Sequence, residues 1–131
     1  MKTIVQKVKF AASAKQLYDM YMDSKKHTAS TGGAAKLGKK VGEAFTAWDG
    51  YLWGKNLLLV PGRHIVQTWR STSFKKQDLD SVLSLTLEDV DGGALLTMSH
   101  VGVPDHDEAK LKKGWNEHYW RPWKKYLAKR D

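Results

Sequence analysis

His100 and His118 are the side chains of this sequence best suited to moving a proton near neutral pH. Histidine titrates there, and its two ring nitrogens can hold and pass a proton. His100 shares the alternating phase of Leu96 and Met98. His118 borders a helical stripe made of Leu111, Trp115, Tyr119, Pro122 and Tyr126. Turned inward, the two rings would share an interior with Trp69, Trp115 and Tyr119. An apolar wall carrying a few polar groups is the make-up of a small-molecule pocket. The competing reading is ordinary packing. Tryptophans more often fill cores than line sites, and an inward histidine is usually a hydrogen-bonded core residue.

Catalysis would ask for more. A nucleophile or an orienting carboxylate must lie within reach of the base. Ser84 and Ser99 fall on the opposite phase of their strands, and no carboxylate pair stands at helical or hairpin spacing to the histidines. The chain has no cysteine, which excludes disulfides, thiolate metal sites and cysteine catalysis. His106, Asp107 and Glu108 are adjacent and His27 stands alone, so neither offers the i, i+4 geometry zinc uses. Gly32–Gly33 followed by lysines lacks the phosphate-loop spacing. No catalytic residue, metal or cofactor is therefore assigned. The expected ligand-binding set is Trp69, His100, Trp115, His118 and Tyr119.

The elements that would position this set follow from periodicity and turn chemistry. Thr3–Phe10 alternates as a strand, and Ser13 with Gln16 forms a capping-box pattern ahead of a helix. Asp23 or Ser24 can start a second short helix ending near Gly32–Gly33. The stretch from Thr31 to Gly42 has no periodicity and reads as a mobile loop. Five strands follow: Glu43–Trp48, Tyr51–Val60, His64–Ser71, Leu79–Val90 and Ala94–Val103, with turns at Asp49–Gly50, Pro61–Gly62 and Asp91–Gly93. Gly54 sits inside a strand, where a close neighbour excludes a side chain. Pro104 ends the last strand, and Asp105 or Asp107 caps a long final helix. Pro122 predicts a kink near Trp120–Arg121, or a weaker helix beyond it. Successive hairpins imply an antiparallel sheet, and the aromatic helix is its cover.

Composition sets the outer limits. With 131 residues, 41% hydrophobic and 27% charged, the chain is expected to form one globular domain over 1–131. MKTIVQKVKF has no apolar signal-peptide region, and no apolar run is long enough to span a bilayer. A cytoplasmic protein fits these features. The net charge of +8 gathers at Lys25–Lys26, Lys36–Lys40, Lys75–Lys76, Lys110–Lys113 and Lys124–Arg130. On the final helix, Lys110, Lys112, Lys113, Arg121, Lys124, Lys125 and Lys129 lie off the apolar stripe, as does Trp120. Basic groups beside an exposed aromatic could bind single-stranded nucleic acid. A solvated helix back explains them more simply, and no nucleic-acid motif is present, so nucleic acid is an unlikely partner.

The words GEAFTAWDGYLWG (Gly42–Gly54), PGRHIVQTWR (Pro61–Arg70), SVLSLTLE (Ser81–Glu88), GGALLTMSHVGVP (Gly92–Pro104) and GWNEHYW (Gly114–Trp120) occur in an order that resembles the helix-grip, START-like or SRPBCC superfamily. More closely, they resemble stand-alone relatives of the C-terminal domain of the activator of the ninety-kilodalton heat-shock protein ATPase. The resemblance implies an α+β helix-grip fold: two short helices after the first strand, and a curved antiparallel sheet of about six strands wrapped round the C-terminal helix. It also implies a groove between sheet and helix, without the activator's N-terminal chaperone-docking domain. The family carries no universal catalytic residues to transfer. The function so implied is a non-catalytic binding module, taking a protein partner such as a chaperone or a small hydrophobic ligand in the groove, in stress response. Two alternatives stand beside it: a cavity enzyme of cyclase or hydrolase type using His100 and His118, and a binder of anionic partners through the basic helix back.

Overall fold

The computed structural model describes residues 1–129; Arg130, the end of the last basic cluster, lies outside them. The chain runs β1 (Lys2–Phe10), α1 (Ala14–Met22), α2 (Ser24–Thr31), β2 (Lys36–Leu37), β3 (Ala44–Ala47), β4 (Leu52–Val60), β5 (His64–Ser71), β6 (Ser81–Val90) and β7 (Gly93–Val103), then α3 (Glu108–Trp115) and α4 (Arg121–Ala128). Seven strands form one antiparallel sheet in the order β1-β7-β6-β5-β4-β3-β2. Every neighbouring pair but one is a hairpin in sequence. The exception brings the first strand against the last, with Val5 opposite Ser99 and Val8 opposite Leu96.

Alternation decides which face is covered. In β5, Ile65, Gln67, Trp69 and Ser71 are buried; in β6, Ser81, Leu83, Leu85 and Leu87; in β7, Ala94, Leu96, Met98 and His100. The intervening residues, such as Val82, Thr86 and Glu88, face out. Local signals act as written in the sequence. Ser13 and Gln16 form the reciprocal capping box of α1, and the Asp23 carboxylate accepts from Lys26 N–H at the start of α2. The β3–β4 turn is a left-handed run, with Trp48 at φ 52°, Asp49 at 58° and Gly50 at 86°. For Trp48 that backbone is strained by about 1–2 kcal/mol. A Cβ on Gly54 would collide with the carbonyl of Thr68 on β5, so only glycine lets β4 lie there.

Three expectations are corrected. The Thr31–Gly42 stretch is tied down, and it supplies the seventh strand. Ala35 and Leu37 are buried, Leu37 N–H donates to Ser24 Oγ at 2.8 Å, and Asn56 Nδ2 donates to the carbonyls of Gly38 and Lys40 at 2.7 and 3.1 Å. Asp107 does not cap the final helix by a side-chain hydrogen bond; a short 3-10 turn, Asp105–Asp107, leads into α3, and the Asp107 carboxylate accepts from Ser73 Oγ at 2.6 Å.

The third concerns helix phase. A π-helical turn, Asn116–Trp120, joins α3 to α4, and Arg121 N–H bonds five residues back to Asn116 O. Pro122 has no N–H and clashes with the carbonyl four residues before it in a regular helix, and a wider turn beside it eases that conflict. The extra residue per turn shifts every later position by one. Trp120 and Trp123 therefore face the sheet, while Pro122 and Tyr126 are only half-buried. Trp120, expected off the stripe, is 2% exposed, and its Nε1 donates to Gln6 Oε1 on β1 at 2.8 Å.

Candidate functional site

The rings of the C-terminal helix form a continuous aromatic interior. Trp115 stacks on Trp120 with centroids 5.5 Å apart and planes 16° from parallel, while Phe10 and Tyr21 meet Trp123 at 5.6 and 6.5 Å. Such contacts add to the area term that dominates core stability. On the side nearest the β3–β4 turn, the packing stops short. A cavity of about 320 Å³ remains there, near the lower end of the roughly 300–1,000 Å³ range of ligand pockets. Trp48, Tyr51 and Leu52 form its turn wall and Trp69 its β5 wall. The helix side consists of Leu111, Gly114, Trp115, His118 and Tyr119. Four of the five residues singled out from the sequence thus border one cavity. Trp48, Tyr51, Leu52, Leu111 and Gly114 were not among them, although Leu111 lies on the predicted stripe and the Asp49–Gly50 turn signal marks the place where flanking aromatics must fold over.

His100 is not in that wall. It is fully buried behind Trp69 and Trp115, while His118 is exposed at the cavity and meets Trp48 edge-on, with centroids 5.2 Å apart. The hydrogen bonds of His100 fix its state. Trp115 Nε1 donates to His100 Nδ1 at 3.1 Å, so Nδ1 carries no proton. The proton sits on Nε2, which donates to Ser81 Oγ at 2.7 Å, and Ser81 Oγ in turn donates to the carbonyl of Trp69 at 2.8 Å. Ser81 is a partner that sequence spacing did not reveal, yet the pair runs in the wrong direction for a nucleophile: the ring donates to the hydroxyl. Burial lowers the His100 pKa to about 3, so the ring is neutral.

A second buried histidine braces the helix. His27 Nδ1 donates to Tyr21 O at 2.8 Å, so Nε2 accepts from Tyr119 Oη at 3.0 Å. Burial lowers its pKa to about 4, with the bond to Tyr21 working the other way. Burial likewise raises the Tyr119 hydroxyl; the nearby Trp48 indole, though it makes no full hydrogen bond, offsets part of this. From Tyr21 the network continues through Gln67 to Asn56, at 3.0 and 2.9 Å, and so to the loop before β3.

The rim is polar. Lys110 Nζ donates to Tyr51 Oη at 3.0 Å and lies 5.6 Å from the ring centroid. Burial would raise the Tyr51 pKa, but hydrogen bonds from Lys110, Ser73 and Ser71 outweigh it and leave it lowered. Among the described residues no cluster of three or more His, Cys, Asp or Glu side chains could hold a metal ion. The basic residues of the helix back are exposed, but Trp120 is buried, so the exposed aromatic on which the less favoured nucleic-acid alternative relied is not Trp120.

Residues 11–128 match the family described as Activator of Hsp90 ATPase homolog 1-like protein. The chain belongs to that family. It is 32% identical over 116 residues to an activator of 90 kDa heat shock protein ATPase homolog from Dictyostelium discoideum, covering 87% of this chain and 30% of that protein. It is 31% identical to the human homolog 1, covering 88% and 34%. The chain thus spans about a third of these relatives. A crystal structure of an HSP90 activator from Plasmodium falciparum superposes with TM-score 0.87 at 18% identity, covering 98% of this chain and 97% of that one. A Mesorhizobium loti protein gives 0.86 at 20%, covering 99% of both. These likenesses bear out the helix-grip fold. Among the described residues, no helix is long and apolar enough to cross a membrane.

Proposed function

We propose that this chain is a non-catalytic binding module of the heat-shock ATPase activator-like family, and that it holds a small hydrophobic ligand in the cavity beside the β3–β4 turn. The observation that carries the reading is the space itself: an aromatic interior that packs closely elsewhere leaves about 320 Å³ between Trp48, Trp69 and Trp115. It is a half-open cleft with mostly apolar walls, the form that small-molecule sites take. The hydrogen bonding of His100 supports a non-catalytic role, because both ring nitrogens are committed and the ring lies behind the wall that His118 borders. The test is a panel of fatty acids, sterols and aromatic compounds, followed by tryptophan fluorescence and amide shifts. Saturable changes centred on Trp48, Trp69 and Trp115 are expected; silence across the panel overturns the reading.

A second reading is a chaperone cofactor in stress response. It is favoured by family membership and by the two activator homologs, of which this chain covers only a part. Added to a purified ninety-kilodalton heat-shock protein, the chain should raise the ATPase rate; a flat rate removes this partner.

A further inference from the structure

One margin of the sheet is left open along part of its length. β3 pairs with β4 only from Leu52 to Lys55, and the loop before β3 extends the cover by one residue. Gly42 N–H donates to Asn56 O at 2.8 Å, and Asn56 N–H donates to Glu43 O at 3.0 Å. From Leu57 to Val60, β4 pairs with β5 alone among the described residues. The register shifts at Leu57, and Leu58, Leu59 and Val60 then lie opposite Val66, Ile65 and His64. Leu57, Leu58 and Val60 are 47%, 45% and 38% exposed. A bare edge is a template for another strand, and proteins usually blunt it with charge, proline, a bulge or a covering element. Here only the bulge is present, at the first of these residues; no charge or proline interrupts Leu57–Val60.

Two observations say what suits this margin. A groove of about 360 Å³ opens between its Pro61 end and α1, with Tyr18, Met22 and Pro61 as apolar walls. Side chains on one face of an added strand could enter it, while those on the other face would meet Leu58 and Val60. The second observation is charge. Lys40, Lys55 and Arg63 flank the stretch, and Lys26 and Lys39 stand at the groove. Of these, only Lys39 is ion-paired among the described residues. The local carboxylates are engaged. Glu43 accepts from Lys40 N–H at 3.0 Å, and Asp19 pairs with Lys15 at 3.0 Å. Asp23 accepts from Lys26 N–H at 3.0 Å and lies 4.0 Å from Lys39 Nζ. A second copy suits the margin poorly, because antiparallel pairing of two such edges brings their Lys55 and Arg63 ends together.

We propose that Leu57–Val60 binds an extended acidic segment of another protein as an additional strand. Its apolar side chains fall at alternate positions, and its carboxylates reach the unpaired basic groups. This site shares no residue with the aromatic cavity, and neither reading depends on the other.

The probe is a blocked peptide, Asp-Asp-Val-Thr-Val-Thr-Val-Asp-Asp, titrated into the isotope-labelled chain at about 0.15 M salt. Saturable amide shifts and new exchange protection are expected at Leu57–Val60, with Tyr18 and Met22 shifting beside them. N-methylation of either the valines or the threonines, whichever set faces β4, should weaken binding by about tenfold or more, the loss of a few ladder hydrogen bonds. Lysines in place of the aspartates should weaken it by about threefold or more. Leu58→Asp, at an exposed position, should also weaken it by about tenfold. The peptide variants leave the protein untouched, so they decide the matter if Leu58→Asp fails to fold. No saturable binding, or shifts centred on the helix back or the cavity, overturns the proposal. So does undiminished binding of both N-methylated peptides or of the lysine peptide. Shifts of Leu57–Val60 with protein concentration alone would make a second copy the occupant and overturn it too.

Discussion

The two halves of the C-terminal helix meet the sheet in opposite ways. From the end of the π turn onward, Trp120 and Trp123 are sealed against Phe10, Tyr21 and Gln6. Before it, Leu111, Gly114 and Trp115 border a cavity that Trp48, Tyr51 and Leu52 close from the side of the β3–β4 turn. Both halves are rich in large rings, so ring content does not decide which becomes a site. What differs is the opposing element and one missing side chain. Gly114 contributes no bulk, and the left-handed backbone of Trp48 and Asp49 holds the turn over the gap. A stripe of aromatics makes a core by default; a glycine and a strained turn make it a pocket.

The sharpest way to break this contrast is truncation on each side. Trp123→Ala should cost about 3–5 kcal/mol, because it empties a fully buried site. Trp48→Ala, at a half-buried cavity wall, should cost about 1–2 kcal/mol. Urea unfolding measures both, and equal losses would deny that the halves differ.

Next in size is acid sensitivity. His27 and His100 are held neutral at about 4 and 3, while in the unfolded chain histidine titrates near 6.5. Below pH 6.5 the unfolded state takes up protons that the folded state refuses. Stability should therefore be full above that pH and fall by up to about 1.4 kcal/mol per unit for each ring, levelling off below the folded values. Unfolding curves between pH 7 and 5 check this, ahead of most carboxylate titration. His27→Gln should flatten the slope, and an unchanged slope would show that the ring is not the source.

A smaller effect sharpens the role of Gly114. A Cβ there would meet His118 Cδ2 at 3.7 Å, an ordinary contact. Gly114→Ala should raise stability by about 0.5–1 kcal/mol, since glycine is a poor helix residue. The same change should weaken ligand binding by narrowing the cavity. Gain in stability with undiminished binding would remove Gly114 from the site. Smallest of all, Lys124→Gln on the exposed helix back should stay within about 0.5 kcal/mol of the parent in the same unfolding measurement.

Much of the fold was legible because its signals are local. The capping box at Ser13–Gln16, the Asp49–Gly50 turn and the alternation through Leu83, Leu85 and Leu87 each act within a few residues. What escaped was set by geometry that spacing does not encode. One extra residue in the π turn rotated Trp120 and Trp123 inward, against a strict helical projection. The two-residue strand β2 is too short for any period, and side chains from α2 and β4 fasten its neighbourhood. Trp69, Trp115, His118 and Tyr119 could be gathered from phase alone. Trp48 could not, because a turn residue has no phase, and Ser81 met His100 through strand register.

The pairing of β1 with β7 also has a consequence in time. Of the seven strands, Lys2–Phe10 is made first, yet its partner in the sheet among the described residues, Gly93–Val103, is made last. At about 5–20 residues per second, the opening strand waits for several seconds with both edges bare. Lys2, Lys7 and Lys9 give it charge during that interval, a common guard against sticking to other chains. A nascent chain halted before Gly93 would expose two unzipped margins, one on β1 and one on β6.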